Sequence, residues 1–284
     1  MAGPSTVREA HDAAQELAGV AAEHPWVKLL ARIGLAAIGA VYMLVGILAL
    51  QLAAGRRGGG APDQQSVLQQ IQAAPMGRLI LGLVAAGLLG YLAWRLTEAF
   101  ADMEGEGSEP AGLARRAGHA VNGVIYGGIG LQAGMLALGR GGAGAGQEEW
   151  TARLMALPLG RWLVGLGGLA VIGCGLYQFF AAWARRYREQ LAYEQVRAEE
   201  RRWLDPLSVA GLIAHGVVLA LTGGFFVQAA YSFNAEEAQG LGGALDEIAR
   251  QPFGPWLLGA VALGLVGYGV YKLAEARYHR VLAR

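Results

Sequence analysis

The sequence predicts an all-α, polytopic membrane protein with six transmembrane helices arranged as three tandem two-helix repeats. Composition is the first reason. Of 284 residues 54% are hydrophobic and 16% charged, against about 25% charged in soluble domains. Mean hydropathy is +0.35. The second reason is six apolar runs, at 33–53, 79–99, 117–138, 162–183, 207–230 and 256–276. Each reaches the roughly 20 residues that cross a hydrocarbon core of about 30 Å. No water satisfies backbone groups there, so the runs are helices.

The third reason is a set of landmarks that occurs three times. Gly34, Gly39 and Gly46 recur as Gly118, Gly123 and Gly130, then as Gly211, Gly216 and Gly223. Pro75-Met76-Gly77 recurs as Pro158-Leu159-Gly160 and Pro252-Phe253-Gly254. Gly82 and Gly90 recur as Gly165 and Gly173, then as Gly259 and Gly267. First glycine and loop glycine stand 43, 42 and 43 residues apart. A period that constant is one supersecondary unit repeated. The organisation is an N-terminal segment (1–25), repeat 1 (26–102), repeat 2 (113–184), a charged helical connector (185–202) and repeat 3 (203–280).

Residues 6–22 read as a short helix with Val7, Ala10, Ala14, Leu17, Ala18 and Ala21 near one face, ended by His24-Pro25. Glu9, Asp12, Glu16 and Glu23 do not suit a signal peptide. The first apolar run is therefore expected to direct insertion itself. Between the spans, Val67, Leu68 and Ile71 fall at helical spacing among glutamines, which predicts an amphipathic surface helix before Pro75. Its counterparts are 148–157 and 238–248. They serve as a lid or as caps over the bundle end. In the connector, Arg188, Glu189, Glu194, Arg197, Glu199, Glu200, Arg201 and Arg202 suit a solvated helix that extends the fourth crossing.

A net charge of +1 suggests no nucleic-acid partner. Lys and Arg are unequally placed: 16 flank the side that holds both termini and 7 the other. The positive-inside rule then puts both termini in the cytoplasm.

The pattern A-R-x-G-x-x-x-x-G-x-x-Y-x-x-x-G (Ala31 to Gly46), then P-M-G-R-L, then G-x-x-G-Y-x-x-W-R-x-x-E-A (Gly87 to Ala99), carries a resemblance. It resembles an uncharacterised bacterial membrane family catalogued as domain of unknown function 1206, over about residues 26–280. The resemblance implies six crossings in three repeats in a bacterial inner membrane, with no established activity. Leu219 stands where Tyr42 and Tyr126 do, Cys174 where Tyr91 and Tyr268 do, and Pro255 where Arg78 and Arg161 do. These departures argue against strict functional equivalence of the repeats.

The repeated glycines, Gly34, Gly39, Gly46, Gly82, Gly90 and their counterparts, predict close helix packing, because small residues let backbones approach in lipid. They are no nucleotide fingerprint, since no strand precedes them. Intramembrane polar groups are the better functional clue. Tyr91, Arg95 and Glu98 share one helix face, repeated as Tyr268, Lys272 and Glu275, with Cys174, Gln178 and Ala181 in the second repeat. They form a gate or ion-binding ring, or they are basic groups that snorkel near helix ends beside their glutamates. His119, Asn122 and Tyr126 share another face, as do His215 and Thr222. Asn122 and His215 are equivalent, with Ile38 in the first repeat, and Gln51 matches Gln228. This set lines a hydrated path or makes interhelical hydrogen bonds. The expected polar path is thus Arg95, Glu98, Asn122, Gln178, His215, Lys272 and Glu275. No cofactor, metal-ligand cluster or nucleophile motif is read, and Cys174 is the only cysteine. Conduction or transport of a small ion or solute is the leading expectation. A scaffold that packs with other membrane proteins, or with a second copy, is the alternative. The lipid bilayer is the expected partner in both.

Overall fold

A computed structural model describes residues 25–56, 58–101, 107, 109–140 and 147–278. The 6–22 helix expected from the sequence lies outside the described residues. Ten α-helices are present among the described residues: α1 (Pro25–Ala53), α2 (Gln64–Ala73), α3 (Gly77–Ala101), α4 (Pro110–Ala137), α5 (Gln147–Met155), α6 (Gly160–Trp183), α7 (Tyr187–Gln190), α8 (Ala198–Ser232), α9 (Leu241–Arg250) and α10 (Gly254–Tyr278). Six of them (α1, α3, α4, α6, α8 and α10) contain stretches long and apolar enough to cross a membrane. Leucines on their outward faces, such as Leu83, Leu131, Leu166, Leu176 and Leu263, are exposed, as a lipid-facing surface requires. The chain is an all-α membrane protein.

The Pro-x-Gly landmark has the same geometry in all three repeats. Met76, Leu159 and Phe253 are left-handed, with φ of 60°, 64° and 63°, and the following glycine opens α3, α6 or α10. A Cβ on Gly160 would collide with the Leu154 carbonyl oxygen, and one on Gly254 with that of Ala249. The middle residue is large, apolar and exposed each time. The motif is therefore a sharp turn that presents an apolar side chain at the mouth of each even-numbered span.

The residues fall into two compact units. The first takes in the described residues within Met1–Ala37 and Pro75–Gly139. There the start of α1 packs on α3, with Gly34 against the Gly87 carbonyl and Gly90 against Leu30. α3 packs in turn on α4. A Cβ on Gly123 would come within 2.8 Å of the Arg95 Cβ, and one on Gly130 within 2.8 Å of the Leu88 Cβ.

The second unit takes in the described residues within Ile38–Ala74 and Arg140–Arg284. Here α6 packs on α8, α8 on α10, and α10 on the remainder of α1. Gly223 faces the Gly168 carbonyl at 2.6 Å and Gly216 that of Gly175 at 2.9 Å, measured from where a Cβ would sit. Gly46 and Gly39 meet the Ala262 and Gly269 carbonyls the same way, at 2.8 Å each. Ala85, Gly168 and Ala262 are equivalent in the repeat register, as are Leu92, Gly175 and Gly269. The α3–α4, α6–α8 and α10–α1 junctions are therefore one interface used three times. In each, the second helix of one repeat meets the first helix of another. Among the predicted packing glycines, Gly211 meets Gly267 and Tyr268, and Gly267 meets the Leu207 carbonyl. Among the described residues, Gly82 and Gly118 meet nothing within 4 Å, and Gly259 makes an ordinary contact at 3.9 Å with Ala53.

The connector differs from a helix continuing the fourth crossing. α6 stops at Trp183, and Arg185 is left-handed at φ 53°. The chain then folds into α7 and a 3-10 turn, Tyr193–Gln195, before α8 begins. Burial of Tyr187, Leu191 and Val196 explains the fold-back. The Tyr271 hydroxyl donates to Gln190 Oε1 at 2.7 Å, and the Ala192 N–H to the Tyr278 carbonyl at 2.6 Å. Asp205 receives Arg188 and, at 2.8 Å, the Tyr193 hydroxyl. Arg201 closes the turn by donating to the Val196 and Glu194 carbonyls.

Candidate functional site

In the first unit α3 carries Tyr91, Arg95 and Glu98 on its buried face, and α4 meets them. The Arg95 Nη1 donates to Glu98 Oε2 at 2.7 Å, and its Nε to the Tyr91 hydroxyl at 2.8 Å. Tyr91 donates onward to Asn122 Oδ1 at 2.8 Å. The Arg95 Nη1 also reaches His119 Nδ1 at 2.7 Å. The guanidinium lies over Trp94 at 4.7 Å from the ring centroid, and Tyr126 meets Tyr91 edge-on at 5.7 Å. Arg95 is 8% and Glu98 3% exposed, so the ion pair is buried against the neighbouring helices. Arg95 sits 18 residues into α3, or about 27 Å along it.

In the second unit, Lys272 Nζ donates to Glu275 Oε2 at 2.6 Å. These two are 8% and 1% exposed. Lys272 lies 5.5 Å from the centroid of Tyr268 and 5.3 Å from that of Tyr271. The equivalent residues of α3 are Arg95, Glu98, Tyr91 and Trp94, so the same cation–carboxylate–aromatic group is buried twice. Tyr42 meets Tyr268 edge-on at 5.0 Å, as its equivalent Tyr126 meets Tyr91.

The α6–α8 junction has Gln178 where the other two have a cation. Its partner is His215, buried at the position of Asn122. Gln178 Nε2 lies 3.2 Å from His215 Nδ1, and the Tyr42 hydroxyl 3.1 Å from His215 Nε2. An amide nitrogen only donates, so Nδ1 is the acceptor. The tautomer this amide orientation selects carries its hydrogen on Nε2, which faces Tyr42. The imidazole also stacks on Tyr268 at 4.0 Å. Four helices, α1, α6, α8 and α10, thus meet at one histidine.

Within each unit the structure brings some of these residues together. Arg95, Glu98 and Asn122 join through Tyr91. Gln178 and His215 bond directly, and Lys272 and Glu275 pair. Gln51 and Gln228 are exposed and belong to neither cluster. Tyr42 and Trp94 were not singled out as site residues by sequence reasoning. Their signal was an aromatic at equivalent positions of other repeats: Tyr126 for Tyr42, and Tyr177 and Tyr271 for Trp94.

A separate cavity of about 260 Å³ lies at the other ends of the helices, lined in part by Leu52, Ala53, Asp246, Arg250 and Leu258. Asp246 Oδ1 accepts the Ala61 N–H there at 2.8 Å, which ties the loop after α1 to α9.

A Bacillus subtilis (strain 168) protein named Uncharacterized protein YxxB is 32% identical over 257 residues, or 90% of this chain and 93% of that protein. No solved structure matches the chain. Three successive segments, residues 33–102, 117–185 and 210–279, match the family described as Domain of Unknown Function (DUF1206), and coincide with the three helix pairs α1/α3, α4/α6 and α8/α10. On that threefold match across a six-span helical chain, the protein belongs to the DUF1206 family.

Proposed function

We propose that this membrane protein moves a small ion or solute across the bilayer, and that the polar helix junctions are where it is handled. One observation carries the reading: complete ion pairs, Arg95–Glu98 and Lys272–Glu275, are buried at equivalent positions of two repeats. A buried ion pair does not by itself stabilise a fold, because apolar residues of like volume serve as well or better. Ionisable groups inside membrane segments are costly and mark ion or proton pathways. Lys and Arg placement supports both termini in the cytoplasm, and the bacterial relative supports a plasma-membrane location. The test is flux in proteoliposomes holding the purified protein, over a panel of ions and small solutes. A rate above that of empty vesicles for one of them is expected. Rates equal to empty vesicles across the panel would sink the reading.

The second reading is a scaffold for other membrane proteins. It is favoured by Gly82, Gly118 and Gly173, which are exposed and meet nothing within 4 Å among the described residues, and so leave room for the close approach of another helix. Crosslinking and native purification test it, and recovery of the protein alone counts against it.

A further inference from the structure

The α3–α4 junction holds an imidazole against its ion pair. His119 Nδ1 lies 2.7 Å from Arg95 Nη1 and 3.4 Å from Glu98 Oε2. Arg95 Nη1 is 2.7 Å from the same Glu98 oxygen. A guanidinium has donors only. The Arg95 hydrogen bond therefore uses His119 Nδ1 as an acceptor, which requires the tautomer with its hydrogen on Nε2. A proton added to Nδ1 turns that acceptor into a donor. The ring then has nothing to offer Arg95, and Glu98 Oε2 is the oxygen already within reach. Arg95 keeps Glu98 through Nη1 and Tyr91 through Nε, and Tyr91 keeps Asn122. The equivalents of His119 are Leu35 and Leu212, so the Lys272–Glu275 pair has no imidazole at this position.

We propose that His119 is a proton-binding site and that the proton is the ion handled at this junction. The inference deepens the ion-moving reading and rests on it. A proton taken from water bonds to Nδ1, the Arg95–His119 hydrogen bond breaks, and a charged His119–Glu98 hydrogen bond forms. Release reverses the exchange, and no further reactant is needed. The ionisable groups around the ring are Tyr91, Arg95 and Glu98 on α3. Arg115 and Arg116 lie one turn before it on α4, with Arg116 held by the Ala99 and Phe100 carbonyls. Arg32 is on the stretch of α1 packed against α3.

The experiment has two arms, each run on the full chain in lipid. The first follows ¹⁵N-labelled imidazoles by NMR from about pH 5 to 8, the range over which histidines titrate. The chain has five histidines, and the His119→Gln variant assigns this one by difference. Glutamine keeps an oxygen for Arg95 and does not titrate. An Nε2–H tautomer that gains a proton at Nδ1, with a response altered in Glu98→Gln, is the expected result. A ring that keeps one protonation state throughout overturns the proposal. The second arm measures proton entry into vesicles loaded with a pH-sensitive dye. At least a tenfold loss is expected in His119→Gln. Equal proton entry in wild type and variant overturns the proposal but leaves ion movement standing. Titration of His119 with no flux of any ion supports the proton site and overturns the reading beneath it.

Discussion

The His215 imidazole lies flat on the Tyr268 ring, with 4.0 Å between centroids and 10° between planes. Each nitrogen also has a partner on a further helix, Gln178 on α6 and Tyr42 on α1. The ring is thus a four-helix fastening. His215→Ala removes the stack, worth about 0.5–1.5 kcal/mol beyond area, and two hydrogen bonds of roughly 0.6–1 kcal/mol each. A loss of about 2–3 kcal/mol is expected, read from steric-trapping or denaturant unfolding in lipid. His215→Phe keeps the stack and strands both polar partners, so it should recover less than half of that loss.

Adjacent glycines on α8 should behave oppositely. A Cβ on Gly223 would sit 2.6 Å from the Gly168 carbonyl oxygen, whereas Gly224 meets nothing within 4 Å. Gly223→Ala forces α6 and α8 apart and should cost about 1–3 kcal/mol, as overpacking does. Gly224→Ala should be neutral or gain up to about 1 kcal/mol, because alanine suits a helix interior better. Thermal unfolding of the two variants in one detergent checks the contrast. Equal losses would refute the assigned α6–α8 register.

The Arg95–Glu98 pair separates stability from activity. Removing one partner leaves a buried charge and should cost about 3–5 kcal/mol, while replacing both with apolar residues should be near neutral. Glu98→Leu is therefore expected to unfold well before Arg95→Met/Glu98→Leu. A double variant no more stable than the single one would mean that the pair is not isolated from solvent as the structure has it.

Outside the spans, burial raises the Tyr193 hydroxyl pKa above its usual value, and its hydrogen bond to Asp205 raises it further. A raised folded-state pKa favours the neutral form. The stability it contributes is fully present below about pH 10, the ordinary tyrosine value, and is lost as pH rises through the folded value. Asp205→Asn should bring the Tyr193 pKa down and weaken that alkaline loss. Ultraviolet difference titration of the variant against wild type measures both effects.

Much of this was legible because the signals are local. The second, fourth and sixth runs, predicted at 79–99, 162–183 and 256–276, lie within Gly77–Ala101, Gly160–Trp183 and Gly254–Tyr278. The shared face of Tyr91, Arg95 and Glu98 follows from helical spacing alone. Which face meets which does not. Tyr42 and His215 are 173 residues apart and bond across α1 and α8, and no periodicity in either helix names the other. The connector failed as an expectation for another reason. Its charge pattern suits a helix, yet Arg185 is left-handed, a conformation uncommon for a residue other than glycine. Burial of Tyr187, Leu191 and Val196 outweighs the local preference.

Flux through a protein whose fold is intact but whose buried charges are gone is the most direct test of ion movement at these junctions. The measurement compares wild type with Arg95→Met/Glu98→Leu and with Lys272→Met/Glu275→Leu, each in proteoliposomes at matched protein content. The prediction is ion entry above empty vesicles for wild type, and a loss of at least tenfold in both double variants at near-equal unfolding stability. Variants that conduct as well as wild type, or a wild type no faster than empty vesicles, would contradict it.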